Sequence, residues 1–305
     1  MKKIAFLIAL STSVSQVFAC SVCGCSASNQ YLGILPQSKS SFIGTQYQYR
    51  VFNSNHVNTT GDNSSNISKD HYSTVQLWGR YNISKKVQAF AFIPYIYNEQ
   101  VENSAYTKSN GVGDVTVLIN YRILATKDIS TNYLHNLLIG GGIKLPTGKY
   151  DGDAVKKYDE MPNMQPGTGS FDFIGNANYT VQHNKNGVNV DVSYTATTAN
   201  VDDYKFGNRL SAGCMVFRTM KSGDNNIIPQ FGFRYDINSI DYNNYYWSIK
   251  NTASGGHILY TALGVQYFHK RIGCQFKFSL PIAQHYADGK VQNKYNSEAG
   301  LYVLL

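Results

Sequence analysis

Residues 113–123 read GDVTVLINYRI, and their alternation decides the fold. Val115, Val117, Ile119, Tyr121 and Ile123 fall on one face of an extended chain. Asp114, Thr116, Asn120 and Arg122 fall on the other. A period of two belongs to a strand, because successive side chains of a strand point to opposite faces. One face is β-branched and aromatic; the other carries full charges.

The same pattern recurs along the chain. In FIGTQYQYRV, Ile43, Thr45, Tyr47, Tyr49 and Val51 oppose Gln46, Gln48 and Arg50. In IIPQFGFRYDI, Phe231, Phe233, Tyr235 and Ile237 oppose Gln230, Gly232, Arg234 and Asp236. In RIGCQFKFSLP, Ile272, Cys274, Phe276, Phe278 and Leu280 oppose Gln275, Lys277 and Ser279. About twelve such segments are counted, near 41–53, 71–83, 87–98, 112–124, 134–146, 171–183, 188–199, 208–219, 227–238, 257–268, 271–282 and 294–305. Segments of about ten alternating residues between polar turns are the signature of a transmembrane antiparallel β-barrel. The expected fold is therefore all-β, a barrel of about twelve strands over 41–305 with a short N-terminal periplasmic segment.

Composition agrees. Charged residues are 15% of the 305, well below a soluble protein's usual quarter, and tyrosine is abundant at 24. The net charge of +8 is scattered, with no Lys/Arg block of the kind that binds nucleic acid. Connections after even-numbered segments, such as 82–86, 183–187 and 269–270, are short. Those after odd-numbered ones, 54–70, 99–111, 147–170 and 239–256, are mostly longer. Outer-membrane barrels have short periplasmic turns and long external loops, so both termini are expected in the periplasm. A soluble sandwich also alternates; the loop asymmetry, the tyrosines and the chain end EAGLYVLL weigh against it.

Lys2 and Lys3, the apolar run Ile4 to Leu10, and Val17-Phe18-Ala19 form a signal peptide over 1–19, with cleavage expected before Cys20. Residues 20–40 then form a Cys-rich periplasmic segment or plug.

Four short stretches, GVGDVTV, GIKLPTGKY, MQPGTGSFDF and SLPIAQ, follow one another along the chain. Together they resemble the outer-membrane transporter-like barrels named after the meta-pathway of phenol degradation. The resemblance covers most of the mature chain and implies an outer-membrane barrel that passes small molecules.

Asp114 opens the fourth strand, Lys144 nears the end of the fifth, and Asp172 opens the sixth. All three belong to the inward set and are expected at one height near the outer mouth, where a lysine between two carboxylates can be paired. Gly113, Pro146, Thr147, Gly148, Pro166, Gly167 and Gly169 are expected to shape the turns around them. The trio either rigidifies the mouth or selects solute. Further inward charges, Arg50, Arg80, Arg122, Asp191, Arg234, Asp236, Lys277 and Glu298, are of both signs, which argues against strong ion selectivity. Cys214 and Cys274 fall outward on non-neighbouring strands, beyond disulfide reach.

None of the seven histidines stands in a Ser-His motif, so no enzyme is expected. Cys20, Cys23 and Cys25 leave three readings open: a lipidated Cys20, three thiolates for a soft ion such as Cu(I), or a disulfide. The function expected is a passive channel or transport component for a small solute, with no cofactor required. Its partners would be outer-membrane lipid, the solute and the barrel-assembly machinery. The alternatives are a copper-associated protein using the N-terminal thiols, and a purely structural barrel.

Overall fold

The computed structural model describes residues 40–57, 65–102, 105–128, 132–156, 161–246 and 248–305. The expected signal peptide, 1–19, and Cys20, Cys23 and Cys25 lie outside the described residues.

Twelve antiparallel strands close into one barrel. They are β1 (Phe42–Val57), β2 (Ser65–Asn82), β3 (Val87–Glu102), β4 in two halves (Ala105–Val112 and Val115–Asp128), β5 (Tyr133–Leu145) and β6 (Asp172–His183). Then follow β7 (Asn186–Thr197), β8 (Arg209–Arg218), β9 (Asn225–Asn238), β10 (Gly256–His269), β11 (Ile272–Tyr286) and β12 (Val291–Leu304). Each pairs with its neighbours in sequence, and β1 pairs with β12 from Phe42↔Leu304 to Ser54↔Val291, which removes both sheet edges.

The two faces are inverted relative to a soluble protein. Ile119, Leu263 and Leu301 are 55%, 62% and 61% exposed on the outside, while Gln76, Asn120, Asn178 and Asn189 are buried inside. A soluble sandwich would bury those aliphatics. An outward apolar band around a polar interior suits hydrocarbon outside and water or polar solute within.

Several strands run beyond their alternating segments. The connection expected at 99–111 is mostly hairpin: β3 and β4 stay in register from Tyr95↔Val112 to Glu102↔Ala105. Glu99, Lys108, Ser109 and Asn110 stand where the wall rises past the apolar band. Neither face needs to be apolar there, so the period fades from the sequence while the ladder persists.

At one end the strands are joined by tight turns. At the other, the described parts of the connections, 146–156, 161–171, 198–208, 239–246 and 248–255, fold over the mouth. The β5–β6 connection carries a short helix (Gly152–Lys156) and a 3-10 turn (Pro162–Met164), and the β9–β10 connection a small hairpin pairing Asp241–Asn244 with Ile249–Asn251. Met164, 1% exposed, packs in a cluster with Phe52, Tyr72, Ile258, Tyr260 and Val291, side chains from β1, β2, β10 and β12. Asn98 on β3 donates to the Met164 carbonyl at 2.9 Å. The β5–β6 connection therefore reaches across the barrel from its own strands to the opposite wall.

Towards the tight-turn end the inner wall is aromatic. Phe42, Trp78, Phe90, Phe92, Leu118 and Tyr302 cluster there, with Phe42 and Trp78 edge-on at 4.6 Å.

Candidate functional site

Three of the four quoted stretches converge on one cluster. Thr116, Lys144 and Asp172 stand in one row across β4, β5 and β6, and Asp114 lies two residues above Thr116. The Lys144 Nζ is 2.9 Å from Asp114 Oδ2 and 2.9 Å from Asp172 Oδ2, with all three side chains buried. The trio expected from the sequence is thus brought together at the long-loop end.

The surrounding turns supply the remaining partners. Asp114 Oδ1 accepts the Gly148 N–H at 2.9 Å, and Oδ2 accepts the Thr168 N–H at 3.0 Å and the Thr168 hydroxyl at 2.7 Å. Lys144 also donates to the Thr168 hydroxyl. Asp172 Oδ1 accepts from Ser170 at 3.1 Å. Buried charge is tolerated when it is paired and hydrogen-bonded in this way.

Gly113 and Asp114 interrupt β4, and Thr147 fills the gap. Its hydroxyl accepts the Val115 N–H at 2.9 Å and donates to the Gly113 carbonyl at 3.1 Å. Gly148 and Gly167 meet backbone to backbone: a Cβ on Gly167 would lie 2.4 Å from the Gly148 carbonyl carbon. Gly169 adopts φ +67°, open to glycine without strain. Pro146 turns the chain out of β5, and Pro166 packs beneath Gly113, its carbonyl 3.1 Å from where a Cβ would stand. The motif turns therefore hold the β5–β6 connection against the trio.

SLPIAQ has a separate role. Pro281 has no N–H, and the β11–β12 ladder stops after Ser279↔Asn296 and resumes at Tyr286↔Val291. The Gln284 side chain bridges the gap, donating to the Asn293 carbonyl at 3.0 Å and accepting its N–H at 2.7 Å. Side-chain amide chemistry stands in for missing backbone pairing.

The other inward charges form separate groups. Arg234 on β9 reaches Asp191 on β7 at 2.7 Å and lies 4.0 Å from Asp236, with Ser211 of β8 bonded to both Arg234 and Asp236. The reach over β8 is open because Gly213 stands between them; a Cβ there would meet Asp191 Oδ1 at 2.6 Å. Lys277 and Glu298 pair at 2.8 Å, with Gln46 donating to Glu298 at 3.2 Å. Arg122 is at the tight-turn end, away from the trio, donating to the Lys85 carbonyl at 3.2 Å. Arg80 lies over the Phe42 ring at 5.2 Å.

Two loops at the long-loop end are clasped by a carboxylate that pattern reading missed. Asp241 accepts the Tyr204 hydroxyl at 2.8 Å and the Gly207 N–H at 2.6 Å. Its own N–H donates to Ser254 at 2.8 Å. Burial pushes its pKa up to about 6, opposed by those two donors and by Arg209 and Lys205. Nothing in DYNN marks it beforehand, because the partners come from a different loop.

Cys214 and Cys274 are free thiols on the outer face of β8 and β11, two strands that are not neighbours. His71 bonds the Tyr49 hydroxyl at 2.6 Å and His135 that of Tyr179 at 2.8 Å, both on the barrel wall.

No protein-family model matches this sequence, and no characterised protein matches it by sequence. Among solved structures, it is similar to the COG4313 outer membrane channel from Pseudomonas putida F1, at 13% identity and a TM-score of 0.62. The overlap covers 88% of this chain and 96% of that one. The NanC porin overlaps at a TM-score of 0.43 and 12% identity, over 86% of this chain and 100% of that one. The fold is that of an outer-membrane β-barrel.

Proposed function

We propose that this barrel is a passive outer-membrane channel for a small uncharged solute, with both termini in the periplasm. One observation carries the reading: three of the interior cations, Lys144, Arg234 and Lys277, are each held by carboxylates on neighbouring strands. A charge already neutralised in place offers little to a passing ion and leaves neutral solutes unopposed. The aromatic inner wall towards the tight turns adds apolar contact for such a solute. The likeness to an outer membrane channel supports the same reading. The rim trio acts as the clamp of the β5–β6 connection, whose Met164 lies across the mouth.

Planar-bilayer recording and liposome swelling test this. Neutral solutes are expected to swell proteoliposomes faster than charged solutes of equal size, with weak ion selectivity. A folded barrel that neither conducts nor swells liposomes, or that strongly prefers one ion sign, overturns the proposal.

A further inference from the structure

Inside the tight-turn end, β10 supplies a descending row of residues. Lys270 stands at the turn, Phe268 two residues further in, and Gln266 two further still. On β9, Asn226 and Ile228 face Phe268 and Gln266 in register. Phe217 on β8 packs with Ile228, and Phe268 packs against them. These side chains border a hollow of about 670 Å³ on the lumen side. Small-molecule sites typically measure about 300–1,000 Å³. Phe217, Ile228 and Phe268 give the hollow an apolar flank. Through Phe268 that flank continues into the aromatic inner wall, where the Tyr302 ring stands edge-on at 5.4 Å.

The polar side chains of the hollow divide by depth. At the rim, Lys185, Lys221, Lys270 and Asp224 are exposed, and Lys270 pairs with Asp224 at 3.7 Å. Asn225 is already engaged there, accepting from the Tyr267 hydroxyl at 2.7 Å and bonded to His269 at 2.8 Å. Gln182 gives an amide N–H to the Asn184 carbonyl at 2.8 Å. Gln266 differs. It is 3% exposed, and its side-chain amide makes no hydrogen bond among the described residues. A buried amide is ordinarily paired; one that opens on a hollow has both a donor and an acceptor to offer a solute.

We propose that this hollow is a binding subsite for a neutral sugar, a mono- or disaccharide, passing through the lumen. A pyranose has two kinds of surface. Its C–H face is apolar and packs on an aromatic side chain, here Phe268 or Phe217. Its hydroxyls both donate and accept, which matches the Nε2 and Oε1 of the Gln266 amide. An apolar molecule would leave that amide unpaired in a closed site. An anion would be drawn to the rim lysines, which are exposed and hold it only weakly, and not to the uncharged depth. The subsite names the class of solute for the channel proposed above and rests on that reading.

Maltose binding to the full barrel in nanodiscs is measured by titration calorimetry, and the sugar protons in contact by saturation-transfer NMR. Saturable binding is expected, with most transfer to ring C–H protons. Gln266→Leu removes no hydrogen bond of the fold and should weaken binding about ten-fold. Phe268→Leu should suppress the C–H transfer. Lys185→Gln with Lys221→Gln should leave maltose affinity within about two-fold of the native barrel. A ten-fold loss in that double variant, or a preference for glucuronate over maltose, assigns the hollow to an anion and overturns the proposal. So does a barrel that binds no maltose, or binding that neither Gln266→Leu nor Phe268→Leu alters. Heat-modifiable gel mobility checks that each variant is folded. Liposome swelling with glycerol is recorded in parallel. Swelling without maltose binding would keep the channel and sink the subsite; Gln266-dependent maltose binding in a barrel that passes no solute would do the reverse.

Discussion

Lys144 on β5 and Asp172 on β6 face each other in register, and their Nζ and Oδ2 atoms are 2.9 Å apart. With Asp114 as the second carboxylate, the pair ties the loop over the mouth to three strands. Lys144→Met leaves two buried carboxylates without a cation. A loss of about 3–5 kcal/mol is expected, the usual cost of breaking a buried pair from one side. Urea unfolding followed by heat-modifiable gel mobility measures it. The triple change Asp114→Asn, Lys144→Met, Asp172→Asn should recover part of that loss, because no uncompensated charge remains. Equal destabilisation in the single and triple variants would show that packing, not charge, decides.

Gly167→Ala forces the Gly148–Gly167 approach apart and should loosen the connection that carries Met164 across the mouth. Higher bilayer conductance and faster proteolytic nicking within 146–171 are expected, with the barrel itself still folded. Met164→Ala should act in the same direction by removing the side chain at the far wall. Unaltered conductance in both variants would remove the loop from control of the mouth.

The Asp241 clasp makes the contact between the 198–208 and 239–255 loops depend on pH. Its pKa is about 6 in the clasp, against an ordinary 3.8. A raised carboxyl pKa means the clasped state holds its proton more tightly. The clasp is therefore fully stable below the ordinary value and weakens as pH rises through about 6. Hydrogen exchange at the Gly207 and Asp241 amides should quicken from acid to neutral pH. In Asp241→Asn that pH dependence, after correction for intrinsic exchange, should flatten. A dependence that survives the substitution would assign it to another group.

Gln284→Leu should destabilise the barrel by about 1–3 kcal/mol, because the Asn293 N–H and carbonyl both lose their side-chain partner. Gln284→Glu keeps the acceptor for the N–H and loses the donor, so an intermediate loss is expected. Chemical denaturation compares the three proteins.

Cys20, Cys23 and Cys25 are proposed as Cu(I) ligands through their three thiolates. Reduced full-length protein should bind Cu(I) in a competition assay with a chromogenic chelator, and the triple Cys→Ser variant should not. Equal binding by both would leave lipidation of Cys20 and a disulfide as the readings for the cluster.

The twelve strands were legible because each crosses hydrocarbon. An apolar residue at every second position is required there, so the period is written into the chain. GDVTVLINYRI shows it with hardly an exception. The trio was legible for the same reason: parity placed Asp114, Lys144 and Asp172 inward, and strand order made them neighbours. Where the wall leaves the membrane, as over 99–111, that requirement ends and the hairpin could not be read. Only the folded barrel decided which partners meet across sequence distance. It set Thr147 into the β4 break, Gln284 opposite Asn293, Gly213 beneath Arg234 and Asp241 between two loops. Each depends on register and closure, which bring together residues whose local sequence carries no mark of the other. Membrane solvation determined the pattern of alternation from the chain itself; the contacts at the mouth were decided by where closure placed the loops.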